Sequence, residues 1–230
     1  MKTLNPNITV IIIAAGEASR WKNYLEVPKH LIPIDNEPIL YRTVRLLKER
    51  HIKDIFIVGP PNDDRYNVTG TCLYVPDKNP KNHDADKFLN SENLWNKNGR
   101  TIVLYGDVYF TDNAIDTIVN HTNIEWCLFC RFNPSKITGA KSGECFAQSF
   151  YPHDLKEHKE KLLYIASLKE KKIISRCGGW EHYRAMNGLR NKLVKSPHKK
   201  YKKYIEINDW TDDFDTPEDY DVFIKKWEDK

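Results

Sequence analysis

Residues 7–15 form a short, nearly unbroken apolar run that ends at Gly16, the pattern of a parallel strand covered on both faces. Residues 17–33 then turn polar and carry two prolines together with Arg20 and Lys29. A long loop is therefore expected between the first strand and the first helix, and long loops in compact domains tend to be functional. Helical spacing takes over at 38–50, where Ile39, Leu40, Thr43, Val44, Leu46 and Leu47 share a face and Pro38 suits a first turn. The apolar segment 54–59 follows as a second strand, so the chain opens with a βαβ unit.

The same alternation continues. A third strand is expected at 71–75, a helix at 85–97, a fourth strand at 101–105 that stops at Gly106-Asp107, a helix at 111–121 capped by Thr111, and a strand at 125–132. Strands alternating with helices predict right-handed crossovers and an α/β, Rossmann-like fold, a mostly parallel sheet sandwiched by helices. Beyond Phe132 the periodicity changes: 144–150 is strand-like and reads as a substrate-side excursion of the sheet, amphipathic helices follow at 152–171 and 179–190, and a last strand at 202–207. Thr216-Pro217-Glu218-Asp219 is a helix start, with a Thr cap, Pro in the first turn and an acid three residues on.

A length of 230 residues with 40% hydrophobic residues fits a single domain over 1–230 with a packed interior. The net charge of +4 gives no general attraction to nucleic acid or anionic lipid. A lysine-rich segment at 192–203 reads as a solvated or phosphate-side flank, because no nucleic-acid motif accompanies it. The longest apolar stretch, 8–15, is about half of what a membrane span needs, so no membrane partner is expected. Cys127 and Cys130 sit in one strand whose alternation turns them to opposite faces. Reduced, buried thiols and a cytoplasmic location are the expectation.

In doubly wound sheets ligands bind beyond the carboxyl ends of the strands, and two features fall there. One is the loop Ala14-Ala15-Gly16-Glu17-Ala18-Ser19-Arg20, whose small residues leave successive N–H groups free to nest phosphate oxygens; Arg20 and Lys29 would add positive charge for a triphosphate. It is neither a dinucleotide fingerprint nor a P-loop, since Gly-x-Gly-x-x-Gly and Gly-Lys-Ser/Thr are both missing. The other is Gly106-Asp107, where a strand-end carboxylate can face that loop as a Mg²⁺ ligand. Near the C-terminus Asp209, Asp212, Asp213, Asp215, Glu218 and Asp219 crowd together, which calls for a cation or wide solvation. Capping explains Glu218 and Asp219 but leaves Asp213 and Asp215 free. No Gly-x-Ser-x-Gly occurs, which disfavours a Ser-His-Asp hydrolase.

Taken together, Val10-Ile-Ile-Ile-Ala-Ala-Gly16, Arg20, Pro28-Lys29-His-Leu-Ile-Pro-Ile34 and Glu37-Pro-Ile-Leu40 resemble the signature of the nucleotidyltransferase family with a Rossmann-like, GT-A type fold. That family includes sugar-1-phosphate nucleotidyltransferases and small cytidylyltransferases. Leu104-Tyr-Gly-Asp107 is similar to the family's strand-end metal aspartate, and Asp213-Phe-Asp215-Thr-Pro-Glu-Asp219 to its C-terminal metal segment. The chain departs where the family loop usually has a second glycine and this one has Ala18. It departs again over 84–91, where Lys87 and Ser91 are candidates for contacting the base. Gly143-Glu144 resembles the place where sugar-using members hold a hydroxyl with a carboxylate.

The resemblance implies an enzyme that passes a nucleoside monophosphate from an NTP to a phosphorylated small molecule, expected to be a sugar phosphate, and releases pyrophosphate. Ala14, Ala15, Gly16, Glu17, Ala18, Ser19 and Gly106 would hold the nucleotide, Gly143 and Glu144 the acceptor, and Asp107 with Asp215 or Asp213 the Mg²⁺. Arg20 and Lys29 would stabilise the transferring phosphate and the leaving pyrophosphate, chemistry that is mainly positioning and charge neutralisation. A homodimer is compatible with this reading. Two alternatives stay open: a GT-A glycosyltransferase using a nucleotide-sugar, although its Asp-x-Asp is absent at Asp107-Val-Tyr109, and a non-catalytic binding module on the same fold.

Overall fold

The computed structural model describes residues 7–15, 19–76, 84–189 and 200–230. Its elements run β1 (Ile8–Ile13), β2 (Pro33–Ile34), β3 (Glu37–Pro38), α1 (Ile39–Glu49), β4 (Asp54–Val58), β5 (Cys72–Tyr74), α2 (Asp84–Asn90) and β6 (Arg100–Tyr105). They continue with β7 (Val108–Tyr109), α3 (Asp112–Asn120), β8 (Cys127–Arg131), β9 (Glu144–Phe150), α4 (Leu155–Glu170), α5 (Gly179–Met186), β10 (Tyr204–Glu206), β11 (Asp212–Asp213) and α6 (Pro217–Glu228).

Seven strands form the main sheet in the order β10-β8-β9-β6-β1-β4-β5. β1 pairs in parallel with both β6 and β4, β5 continues that direction from β4, and β10 is parallel to β8. β9 alone runs against its neighbours, antiparallel to β6 and to β8. The sheet is thus mostly parallel, flanked by helices, as the alternation of elements predicts. The 144–150 segment is not an excursion, however: it is the strand that joins the two parallel groups. Nothing local in its sequence encodes its neighbours.

Alternation along the strands builds a core on each face. Val10 and Ile12 of β1 pack with Leu40, Val44 and Leu47 of α1 and Ile115 and Ile118 of α3, while Ile11 and Ile13 pack with Phe88 of α2, Leu162 and Ile165 of α4 and Tyr183 of α5. Cys127 joins the first cluster and Cys130 the second. Both are buried free thiols on opposite faces, and burial raises both pKa values, that of Cys127 to about 12. A third cluster of Trp21, Ile32, Ile34, Tyr109, Phe214, Tyr220 and Phe223 fastens α6 under the loop that leaves β1.

Several element boundaries differ from the sequence reading. The 85–97 helix ends at Asn90 and gives way to a separate 3-10 turn over Glu92–Leu94, since Ser91 turns its hydroxyl back onto the carbonyl of Phe88 at 2.8 Å and closes the turn. Pro38 precedes α1 rather than entering it, with ψ of 135° and a place in β3. The caps at Thr111 and Thr216 form as read: Thr111 Oγ1 accepts from the Ala114 N–H at 3.0 Å, and Thr216 and Asp219 satisfy each other's N–H groups. The 179–190 helix ends at Met186; residues 190–199, with Lys192, Lys195 and Lys199 of the basic segment, lie outside the described residues.

Candidate functional site

β6 ends at Tyr105, and Gly106 makes the exit possible. Its N–H reaches the Ile13 carbonyl at 2.9 Å, and a Cβ there would meet that oxygen at 2.8 Å and Ala14 at 3.1 Å. Only glycine lets the two strand ends cross so closely, and the crossing delivers Asp107 beside the mouth of the loop after β1. Ala14 is buried and bonded to the Val58 carbonyl at 2.8 Å, Ala15 is half-buried and Ser19 exposed. Gly16, Glu17 and Ala18 lie outside the described residues.

The far side of the loop is anchored. Trp21 is buried, and its indole N–H donates to the Val27 carbonyl at 2.8 Å. Lys22, Asn23, Leu25 and Glu26 all adopt left-handed backbone, with φ between 52° and 56°, a conformation that costs non-glycine residues energy and gathers at functional sites. The Trp21 anchor holds this bend, so Arg20 and Lys29 emerge at its two ends facing the same way.

The acids come from a second device. β11 pairs antiparallel with β7, setting Asp213 opposite Val108 and Asp212 opposite Tyr109, and the Phe214 N–H donates to the Asp107 carbonyl at 3.3 Å. Alternation in this ribbon separates two neighbouring aspartates. Asp212 turns inward, fully buried, to accept from Arg131 Nη2 at 2.8 Å, from Thr138 Oγ1 at 3.0 Å and from the Ser135 hydroxyl. Asp213 turns the other way, into a cavity of about 380 Å³ that Asp107, Asp215 and Glu144 also line.

The loop cations meet two of these carboxylates, with Arg20 itself lining the cavity. Lys29 Nζ hydrogen-bonds Asp107 Oδ2 and stands 3.9 Å from Asp215 Oδ1; Arg20 Nη2 donates to the same Asp215 oxygen at 2.7 Å. Burial works to raise the Asp107 carboxyl, but Lys29, helped by His30 and Lys87, holds it down at about 2. Burial also disfavours the Lys29 ammonium, yet Asp107, Asp215 and Asp213 outweigh it and raise the pKa. For Asp213 and Glu144 burial wins: with repulsion from Glu144, Asp215 and Asp107 it pushes Asp213 well above the usual carboxylate range, and with repulsion from Asp215 and Asp107 it pushes Glu144 up to about 8 against the lowering effect of the Cys145 N–H and Arg131. His30 is buried, bonded to the Tyr66 hydroxyl at 3.1 Å, and held down at about 4 by that burial.

Gly143 and Glu144 stand where β9 begins. A Cβ on Gly143 would strike the Arg131 carbonyl at 2.3 Å, so glycine is required for β9 to start beside β8. The Glu144 carboxylate accepts from its neighbour's N–H on Cys145 at 3.1 Å. Facing them is a wall that the sequence reading did not assign, made of Lys169 at the end of α4, Ser175, Arg176 and the start of α5 from Gly178 to Glu181. Trp180 ties this wall to β9 through its indole N–H, 3.3 Å from the Gly143 carbonyl. The Gly178-Gly179 pair before an aromatic was the available signal. Of the two base candidates, Lys87 is half-buried and its charge reaches Asp107 and His30. Ser91 is buried, bonded to Phe88, and does not line the cavity.

The donor set suits a hard divalent cation: carboxylate oxygens alone, two of them raised by burial and then by neighbouring negative charge. Among the described residues no three His, Cys, Asp or Glu side chains close into a ready-made metal centre. Among the described residues no helix is long and apolar enough to cross a membrane.

Solved structures share this fold at low identity. The CTP:phosphocholine cytidylyltransferase LicC of Streptococcus pneumoniae is 14% identical, with a TM-score of 0.61 over 96% of this chain and 99% of its own. A putative glucose-1-phosphate thymidylyltransferase of Bacillus anthracis is 18% identical, with a TM-score of 0.59 over 97% and 96%. The inositol-1-phosphate CTP transferase of T. maritima is 13% identical, with a TM-score of 0.59 over 96% and 97%. No curated protein matches the sequence. Residues 10–168, well over half of the 230, match the model of the MobA-like NTP transferase domain; that stretch holds most of β1, the cationic loop, Asp107 and β9, and by it the chain belongs to the MobA-like NTP transferases.

Proposed function

We propose that this nucleotidyltransferase moves a nucleoside monophosphate from an NTP onto the phosphate of a small phosphorylated acceptor, in the first place a sugar phosphate, and releases pyrophosphate. The observation that carries the reading is the meeting of Lys29 and Arg20 with Asp107 and Asp215, beside a cavity that Arg20, Asp107, Asp213, Asp215 and Glu144 line. Fixed positive and negative groups at one point are what phosphoryl transfer needs, because the reacting centre collects several negative charges and needs no side-chain nucleophile.

In this reading an oxygen of the acceptor phosphate attacks the α-phosphorus of the NTP. The bond from that phosphorus to the bridging oxygen breaks, and the electron pair leaves with pyrophosphate. Arg20 and Lys29 bind the β- and γ-phosphates and take up the charge that grows on the leaving group. Backbone around Ala14, Ala15, Ser19 and Gly106 lines the nucleotide's approach. Asp107 and Asp215, with Asp213 beside them, would hold Mg²⁺, which supplies charge neutralisation at the transferring phosphate. Glu144 and Gly143, across from Trp180, receive the acceptor's body, and the cavity of about 380 Å³ has the size of a monosaccharide phosphate. The acceptors named for the three fold relatives, phosphocholine, glucose 1-phosphate and inositol 1-phosphate, are all phosphate monoesters, which supports an acceptor of that class.

A panel of the four NTPs crossed with glucose 1-phosphate, inositol 1-phosphate and phosphocholine, read by coupled pyrophosphate detection, tests the assignment. Release that requires both an NTP and a phosphorylated acceptor is expected. Release from the NTP alone, or none across a panel widened to other phosphomonoesters, would remove it.

A further inference from the structure

The two carboxylates placed to hold a divalent cation are already engaged by side chains of the same chain. Lys29 Nζ hydrogen-bonds Asp107 and stands 3.9 Å from the Asp215 oxygen that Arg20 holds at 2.7 Å. The two cations differ in how firmly they sit. The Arg20 side chain is 63% exposed, whereas that of Lys29 is 15% exposed and rides a 3-10 turn with buried His30 and Leu31. Asp213 and Glu144, by contrast, have no ion pair among the described residues, although both line the same cavity. A fixed ammonium therefore stands between two carboxylates, and further acids beside it have no close ion pair among the described residues.

We propose that Lys29 is an internal counter-ion of the Asp107–Asp215 pair, which keeps a divalent cation weakly bound until a polyphosphate draws the ammonium away, so that metal and NTP enter together. The inference rests on the nucleotidyl-transfer reading of the site and adds a coupling to it. A divalent ion entering the free protein would have to share Asp107 with an ammonium at hydrogen-bonding distance, and like charges at that range repel strongly in a partly buried site. Polyphosphate oxygens give Lys29 and Arg20 a new partner of higher charge, and their departure opens both carboxylates at once. One lysine then does two tasks in turn: it neutralises the acids in the free protein, and it grips the leaving group in the complex. A metal bound without its nucleotide is disfavoured.

Binding of Mn²⁺ in the absence of any nucleotide, followed by the electron paramagnetic resonance signal of the free ion, tests this. Lys29→Met is expected to bind Mn²⁺ at least about tenfold tighter than the unaltered protein, as loss of a neighbouring positive charge dictates. Lys29→Arg, which keeps the charge, stays within about threefold of it. Lys29→Gln retains a donor for Asp107 and shows the same gain where the methionine variant folds poorly. Adding Asp107→Asn to Lys29→Met returns the affinity to the starting level or below. Equal affinity in the unaltered and uncharged variants, including no binding in either, overturns the inference, as does a gain that survives Asp107→Asn. Pyrophosphate release plays no part in these readouts: a protein that releases pyrophosphate but shows no gain loses only the coupling, and one that releases none loses the reading beneath it.

Discussion

Phe214 donates its backbone N–H to the carbonyl of Asp107 at 3.3 Å, and that bond, with the two-residue ribbon beside it, brings the C-terminal acids to the end of β6. The side chain of Phe214 is fully buried against Tyr220 and Phe223 of α6, so the aspartates on either side of it have no freedom to turn away. The proposed reaction centre of this MobA-like NTP transferase is in that sense a packing product. An apolar residue between two acids is driven into the core and leaves Asp213 and Asp215 at the cavity.

Asp107→Asn keeps the shape of that end of β6 and removes its charge. Pyrophosphate release is expected to fall by about 100-fold or more, the scale of losing one preorganised electrostatic group. The far-ultraviolet circular dichroism stays unchanged, because Gly106 and the Phe214 bond, not the carboxylate, fix the backbone there. Activity within a few-fold of the starting level would take Asp107 out of the chemistry.

Asp212 gives the complementary case, a buried acid that does not line the cavity. It is 0% exposed and gathers Arg131, Ser135 and Thr138. Asp212→Ala leaves the buried guanidinium of Arg131 without its carboxylate, which costs about 3–5 kcal/mol, measurable by denaturant unfolding. Because the same residue sets the register of the ribbon that presents Asp213, activity falls as well, whereas Asp212→Asn, which keeps an acceptor, loses less of both. A variant as stable as the parent would show that the pair does not hold the ribbon.

Much of this was legible in the chain, for reasons that differ by residue. Thr111, Thr216 and Gly106-Asp107 are local signals: a cap, a capping box, a strand that stops at a glycine. The faces of Cys127 and Cys130 follow from strand alternation alone. The central place of 144–150 was not legible, because strand order is fixed by which faces pack across the sheet and not by the strand's own pattern. Ribbon residues 212–213 were hidden for the opposite reason, being too short to carry a period. The wall made by Lys169, Arg176 and Trp180 read as ordinary helix ends, since a cavity is set by what stands opposite, here Gly143 and Glu144.

Glu144 sets a pH dependence of stability. Burial, with the repulsion of Asp215 and Asp107, pushes its pKa up to about 8, from 4.5 in the unfolded chain. The folded state therefore holds a proton that the unfolded state gives up, and stability is full below about pH 4.5 and lost as pH rises towards 8. In Glu144→Gln the loss is absent. Measured in chelator, the variant's advantage over the parent is expected to grow by about 1–2 kcal/mol between pH 5 and pH 8, less than the full shift implies because the cavity opens to solvent. An advantage that stays flat across that range would mean that Glu144 ionises freely.

A histidine pair between α4 and α5 has the opposite sign. His158 accepts from the Trp126 indole at 3.1 Å, stacks on Phe150 at 4.0 Å and lies 4.7 Å from His182, which meets Gln148 at 2.9 Å. Burial holds His158 well below its ordinary pKa and His182 down at about 3. His158 Nδ1 already accepts the Trp126 N–H, so a proton gained by that ring would land against a donor, and the Nε2 atoms of both rings have no hydrogen-bond partner among the described residues. The unfolded chain takes up these protons below pH 6.5 while the folded one does not, and stability falls as pH drops, by at most about 1.4 kcal/mol per unit for each ring. His158→Phe fills the stack but strands the Trp126 donor, costing about 1–3 kcal/mol at pH 7.5. At pH 5 the parent has lost the contribution of His158 and the variant has nothing to lose, so the gap between them narrows by about 2 kcal/mol. Urea unfolding at the two pH values reads that narrowing directly, and a gap of constant size would show that His158 takes up its proton inside the folded protein.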